Sequence, residues 1–315
     1  MDNKVAAVQM RNITKTFGKV VANDKVWLDI YRGEILALLG ENGSGKTTLM
    51  NMLSGIYFPD EGQIFIDGKE VVIRSPKDAF DLGIGMIHQH FKLVDVLSAA
   101  ENIVLGLKEP GRLDLERASR RIEEICALYG FEVDPRQKIY DMSVSQKQTV
   151  EIVKALYRGA DILILDEPTA VLTPQETDKL FTVLRNMRDA GKAVVIITHK
   201  MHEVETLSDR VAILRHGQFI GDMPTKDTNA QEMTNMMVGH AVTLNIARPD
   251  PVDPKPRIEV KNLTVRSIDG IVKLDDVSFT ANSGEILGIA GISGCGHQNV
   301  TAAPSVSTAA SIEKV

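Results

Sequence analysis

Cysteine is scarce: two occur in 315 residues, and Cys126 and Cys295 stand far apart in no metal-like cluster. Long apolar runs are missing too. The longest, around DILIL and AVVIIT, are strand-length and fall well short of the roughly 18 residues that cross a bilayer, so any membrane path must come from another chain. The opening MDNKVAAVQMRNITK lacks the apolar core of a signal peptide, and with the sparse cysteine this predicts a reducing, cytoplasmic compartment. No long run of one charge sign occurs and the formal net charge is -6, so nothing suggests a face built for nucleic acid or acidic lipid. What is present is 43% hydrophobic and 25% charged residues, enough for one large core or two smaller ones, which excludes disordered and fibrous classes.

Two segments begin alike. VQMRNITKTFGKVVANDKVWLDIYRGEILALLGENGSGK near the start is echoed by IEVKNLTVRSIDGIVKLDDVSFTANSGEILGIAGISGCG from Ile258, about 250 residues later. That period implies tandem domains, because solenoid repeats run at about 20 to 50 residues. ARPDPVDPKPR between the copies carries four prolines and reads as a linker. The expected division is 1–245 for the first domain, 246–256 for the linker, 257–298 for the N-terminal fragment of a second copy and 299–315 for a non-native or disordered tail.

Within the first copy the β-branched runs EILALL, DILILD, AVVIIT and RVAILR alternate with helical stretches such as TDKLFTVLRNMRDAG, a pattern that predicts a mostly parallel sheet covered by helices. IFIDGKEVVI, with its Asp-Gly turn, predicts antiparallel ribbon instead. Residues 93–156 are rich in helix signals and read as a helical insert. The fold class is therefore α/β with an antiparallel subdomain and a helical subdomain.

Gly40-Glu41-Asn42-Gly43-Ser44-Gly45-Lys46-Thr47-Thr48 follows the strand EILALL and precedes the helical TTLMNMLSG, which is the setting a phosphate-binding loop requires. Its glycines let backbone N–H groups converge on one centre, the helix adds its positive end, Lys46 reaches the terminal phosphates, and Thr47 offers a hydroxyl to magnesium. DILIL ends in Asp166 and Glu167, where an α/β sheet presents groups to a ligand. Asp166 is expected to hold magnesium and Glu167 to polarise an attacking water.

This loop, then Gln89 after GIGMIH, Met142-Ser143-Val144-Ser145-Gln146, ILILDEPT and His199 after VVIIT, resembles in order and spacing the nucleotide-binding domain of ATP-binding cassette (ABC) proteins across residues 5–245. The resemblance implies a P-loop NTPase of ABC type that binds ATP with Mg2+. It implies that Phe17 stacks on adenine, that Gln89 contacts magnesium and the attacking water, and that His199 contacts the γ-phosphate. DEPTAVLTPQE and the tandem layout resemble the double-cassette subunits of simple-sugar (ribose and galactose type) and nucleoside importers. The implied partners are transmembrane permease subunits, indirectly a solute-binding protein, and a second cassette packed head-to-tail, at the cytoplasmic face of the cell membrane. No nucleic-acid partner is expected. FKLVDVLSAAEN is expected either to contact a permease helix or to pack within its own domain.

The chain departs from the family in three places. The signature loop, usually Leu-Ser-Gly-Gly-Gln, keeps Ser143 and Gln146 but places Val144 and Ser145 where glycines stand. The loop after Glu167 ends in Ala170-Val171-Leu172-Thr173 and lacks the usual aspartate. In the second copy, GISGCGHQ puts His297 and Gln298 where lysine and the magnesium-binding hydroxyl belong, which predicts one degenerate ATP site, and HQNVTAAPSVSTAASIEKV makes a poor helix. Two other readings stay open. One is a soluble ABC-type ATPase unconnected with transport; the other is a nucleotide-binding fragment without turnover.

Overall fold

The computed structural model describes residues 6–89, 91–107, 114–241, 253–266 and 270–289. It divides into two compact units, Met1–Leu244 and Asn245–Val315.

The first unit is built on a six-stranded sheet ordered β10-β9-β3-β8-β7-β6. Its strands are β3 (Glu34–Leu39), β6 (Ile84–Ile87), β7 (Ile162–Asp166), β8 (Ala193–Thr198), β9 (Arg210–Arg215) and β10 (Gln218–Pro224). All neighbours run parallel except the β9–β10 hairpin. Every residue of β3 and β8 is buried, as expected for strands covered on both faces. Ile35, Ala37 and Leu39 of β3 enter a core shared with the helices α4 (Leu115–Tyr129), α5 (Val144–Tyr157) and α6 (Pro174–Asp189). Leu36 and Leu38 alternate to the other face, where α1 (Lys46–Leu53) and a second sheet close over them. Each such side chain contributes roughly 1.5–3 kcal/mol by leaving water.

The second sheet is antiparallel, ordered β2-β1-β4-β5, and comprises β1 (Ala6–Phe17), β2 (Val20–Tyr31), β4 (Glu61–Ile66) and β5 (Lys69–Val71). Asp67 and Gly68 turn β4 into β5 with φ of 48° and 77°, the positive values that the Asp-Gly pair supplies in a tight hairpin.

Helix α2 (Pro76–Asp81) precedes β6, and helices α3 (Ala99–Val104), α4 and α5 lie between β6 and β7 in sequence, in the region that reads as helical. FKLVDVLSAAEN is only partly helix. Its first residues form a loop because the Asn102 side chain accepts from Val94 N–H at 2.7 Å and donates to Val94 O at 3.1 Å, replacing backbone hydrogen bonds.

The second unit contains one described hairpin, β11 (Pro256–Arg266) with β12 (Val272–Asn282). Pro256 is the first residue of that strand rather than the last of a linker, a position proline tolerates. The hairpin repeats β1–β2 in detail. Asn12 and Asn262 have φ of 52° and 50°, and Lys25 and Asp276 have 47° and 50°. Lys25 N–H donates to Thr14 Oγ1 at 3.2 Å, and Asp276 N–H donates to Thr264 Oγ1 at 3.1 Å. The repeat is thus one of backbone geometry as well as of letters. The second copy's phosphate-loop residues 291–298, the tail 299–315 and linker residues 246–252 lie outside the described residues.

Candidate nucleotide site

Strand order puts the ends of β3, β8, β7 and β6 in one row, and parallel pairing makes them level: Leu39 faces Thr198, and Asp166 faces Ile197. The residues immediately after these ends are the phosphate loop, His199, Glu167 and, two residues past β6, Gln89. Motifs far apart in sequence are gathered because a parallel sheet presents all its carboxyl ends on one side.

The loop after β3 is shaped by close approach. A side chain at Gly40 would put its Cβ 2.3 Å from Leu214 O, and one at Gly45, whose φ is 95°, would meet Ala22 O at 2.3 Å. Gly45 caps α1, leaving the helix's first N–H groups directed into the loop. Ser44 O accepts from Gly217 N–H at 3.1 Å, so the β9–β10 turn braces the loop from behind. Buried Asn23 braces it too, donating to Gly45 O at 3.3 Å; the second hairpin has Leu274 at the equivalent point.

Lys46 is buried and folds into the loop, its Nζ donating to Gly40 O at 2.8 Å and Glu41 O at 2.9 Å. Desolvation lowers its pKa, while nearby Glu167 and Asp166 oppose the shift. Thr47 Oγ1 donates to Asp166 Oδ1 at 3.4 Å, joining the phosphate loop to β7. Burial raises the pKa of Asp166, which places a poorly hydrated carboxylate beside a hydroxyl. A hard divalent cation that keeps most of its ligands as water and phosphate fits this pair of oxygens.

Glu167 has φ of 47°, uncommon for a residue with a side chain, and its N–H is held by Ile197 O at 2.9 Å. Its Oε1 lies 3.0 Å from His199 Nδ1. Because a carboxylate only accepts, Nδ1 carries the proton of that contact. Phe17 is 43% exposed, with Tyr57 edge-on at 5.1 Å between centroids and Lys15 Nζ 5.5 Å from its ring. The ring is thus part-exposed at the end of β1, between Tyr57 and Lys15.

Not every expected residue joins this cluster. Gln89 is exposed at the end of the row. Exposed Ser143 caps α5, accepting from Gln146 N–H at 3.2 Å while Gln146 Oε1 accepts from Ser143 N–H at 2.9 Å. Val144 and Ser145 are the first helical residues, and no hydrogen bond among the described residues joins this segment to the phosphate loop of its own unit. Sequence reading also missed Gln148, which is buried and donates to Pro168 O at 2.8 Å, and Glu203, which bonds Thr169 and Thr198.

Residues 23–170 match the family model described as ABC transporter. The first unit is an ATP-binding cassette domain. The chain is 46% identical over 299 residues to the nucleoside import ATP-binding protein NupA of Lactococcus lactis subsp. cremoris, covering 94% of this chain and 59% of that protein. It is 41% identical over 302 residues to the ribose import ATP-binding protein RbsA 2 of Escherichia coli O157:H7, covering 95% and 58%. The chain thus spans somewhat over half the length of these relatives. Among solved structures, the dimeric bacterial ABC transporter cassette MJ0796 superposes with a TM-score of 0.61 at 28% identity, covering 69% of this chain and 98% of that one. A nucleotide-free ATP-binding cassette from an ABC transporter gives 0.64 at 24% identity, a likeness of fold. Among the described residues of this cassette chain, no helix is long and apolar enough to cross a membrane.

Proposed function

We propose that the chain is the ATP-binding and ATP-hydrolysing subunit that energises an ABC importer for nucleosides or simple sugars. The observation that carries the reading is the meeting of Lys46, Thr47, Asp166, Glu167 and His199 at one end of one sheet, in a chain whose relatives bear the names of nucleoside and ribose import proteins.

The chemistry assigned to each residue follows from its position. Lys46 and the N–H groups at the start of α1 bind the β- and γ-phosphates, with Lys46 exchanging its loop carbonyls for phosphate oxygens. Thr47 and Asp166 would hold magnesium, which supplies charge neutralisation on the phosphates. Glu167 orients a water in line with the γ-phosphate and accepts its proton as the O–P bond forms and the ADP oxygen leaves. His199, through its Nδ1 contact, holds the Glu167 carboxylate in one orientation. Phe17 stacks on adenine, and Gln89 is assigned to the metal and the water when the row closes.

Ser143 and the N–H groups of the Val144 turn, exposed at the start of α5, suit the γ-phosphate of a second cassette packed head-to-tail. The two hairpins with matching bulges support a tandem of cassettes in the parent molecule, with the second phosphate loop degenerate at His297 and Gln298. Permease subunits then supply the membrane path, a solute-binding protein delivers the solute, and the chain sits on the cytoplasmic face.

Vesicles carrying a nucleoside permease or a ribose permease test this reading. Faster ATP hydrolysis with one of them, further raised by its solute, is the expected result. Equal rates with and without either permease would contradict it.

A further inference from the structure

The loops bearing Glu167 and His199 are joined by a third carboxylate that no phosphate chemistry requires. Glu203 lies on α7 (Met201–Leu207) and is only 6% exposed, although it is acidic. Its Oε1 accepts from the Thr169 hydroxyl, two residues beyond Glu167. Its Oε2 accepts from the Thr198 hydroxyl at 3.0 Å, one residue before His199. Lys200 closes the cluster: its Nζ lies 3.0 Å from Glu203 Oε1 and donates to Thr169 O and Oγ1 at 3.1 Å each, while its N–H donates to Thr198 Oγ1 at 3.1 Å.

A buried carboxylate costs several kcal/mol of desolvation unless its lone pairs are satisfied, and such networks fix geometry when complete. Here Oε2 holds the last residue of β8, while Oε1 holds the loop after β7 and Lys200 of the loop after β8. The carboxylate therefore sets the spacing of the two backbones that carry the 3.0 Å contact between His199 Nδ1 and Glu167 Oε1. An apolar residue at 203 could fill the same space without tying either loop.

We infer that Glu203 is a positioning residue that clamps the β7 and β8 loops and so keeps His199 in the Nδ1-protonated form facing Glu167. The inference deepens the hydrolytic reading and rests on it for its effect on rate, but the clamp itself is a matter of geometry and can be read without turnover.

The test compares the full chain with Glu203→Gln, Thr198→Val and Thr169→Val. Imidazole nitrogen shifts of His199 at neutral pH, without nucleotide, report which ring nitrogen holds the proton. The wild type is expected to show Nδ1 protonated; Glu203→Gln and Thr198→Val are expected to move the population toward Nε2 protonation. Turnover should fall roughly 10- to 100-fold, with ATP affinity within about twofold, as for loss of a group that aligns others. The valine variants keep side-chain shape and serve if Glu203→Gln fails to fold. Unmoved imidazole signals in all folded variants, with or without a lower melting temperature, would overturn the clamp. Signals that move in a chain without turnover would keep the clamp and refute the hydrolytic reading.

Discussion

Thr47 Oγ1 and Asp166 Oδ1 lie 3.4 Å apart across 119 residues of sequence, one at the start of the phosphate-loop helix and the other at the end of β7. Their proximity is imposed by the sheet: β3 and β7 flank β8, and all three end level.

The half-buried Asp166 carboxylate is held for function at some cost to stability. Its folded pKa is raised, so the folded state binds the proton more tightly than the unfolded chain. As far as this group is concerned, acidification through the window above its usual value favours folding, and its charge at neutral pH disfavours it. Asp166→Asn is expected to raise the melting temperature of the nucleotide-free chain by roughly 1–3 °C, after allowance for partial solvent screening. The same variant is expected to lose magnesium-dependent hydrolysis. Calorimetry and turnover on one preparation check both; a lower melting temperature would count against the desolvation argument.

Asp60 behaves in the opposite sense. Lys15 Nζ, Thr16 Oγ1 and Thr16 N–H all donate to it at 2.7 Å, and these bonds hold its pKa down to about 2. Its contribution is complete above the ordinary aspartate range and is lost as pH falls toward about 2. Denaturation midpoints of wild type and Asp60→Asn should differ by a constant amount above pH ~4 and converge as pH falls through that window. A gap that widens with acidification would contradict the sign.

The signature segment carries a trade-off between cap and glycine. Ser143 and Gln146 form a reciprocal cap, so Ser143→Ala should cost about 1 kcal/mol of stability. Val144→Gly with Ser145→Gly should cost about 0.5–1 kcal/mol per site and bring the segment to the family's usual glycines. If backbone approach to a second cassette's phosphate limits the chain, the double variant hydrolyses ATP faster despite melting lower. A lower melting point with unchanged turnover would remove the side chains of Val144 and Ser145 as an obstacle.

The sheet and the phosphate loop were legible in sequence because their signals are local. EILALL, DILILD, AVVIIT and RVAILR coincide with β3, β7, β8 and β9, and most of TDKLFTVLRNMRDAG lies in α6. Asp67-Gly68 likewise foretells its own turn. Glu203 was not legible: its partners stand 34 and 5 residues away, and an acidic residue on a short amphipathic helix reads as solvated. Gln148 was hidden for the same reason, its acceptor lying 20 residues on. Nor does the apolar stretch 91–102 reveal that one amide, that of Asn102, holds its first residues as a loop.

The most direct measurement of the central claim is magnesium-ATP turnover by the purified chain over a concentration series, beside Glu167→Gln and with nucleotide affinity measured independently. Turnover that rises more than linearly with protein, and vanishes in the variant while ATP still binds, is the result the account predicts. ATP binding without hydrolysis at any concentration, or hydrolysis that survives Glu167→Gln, would contradict it.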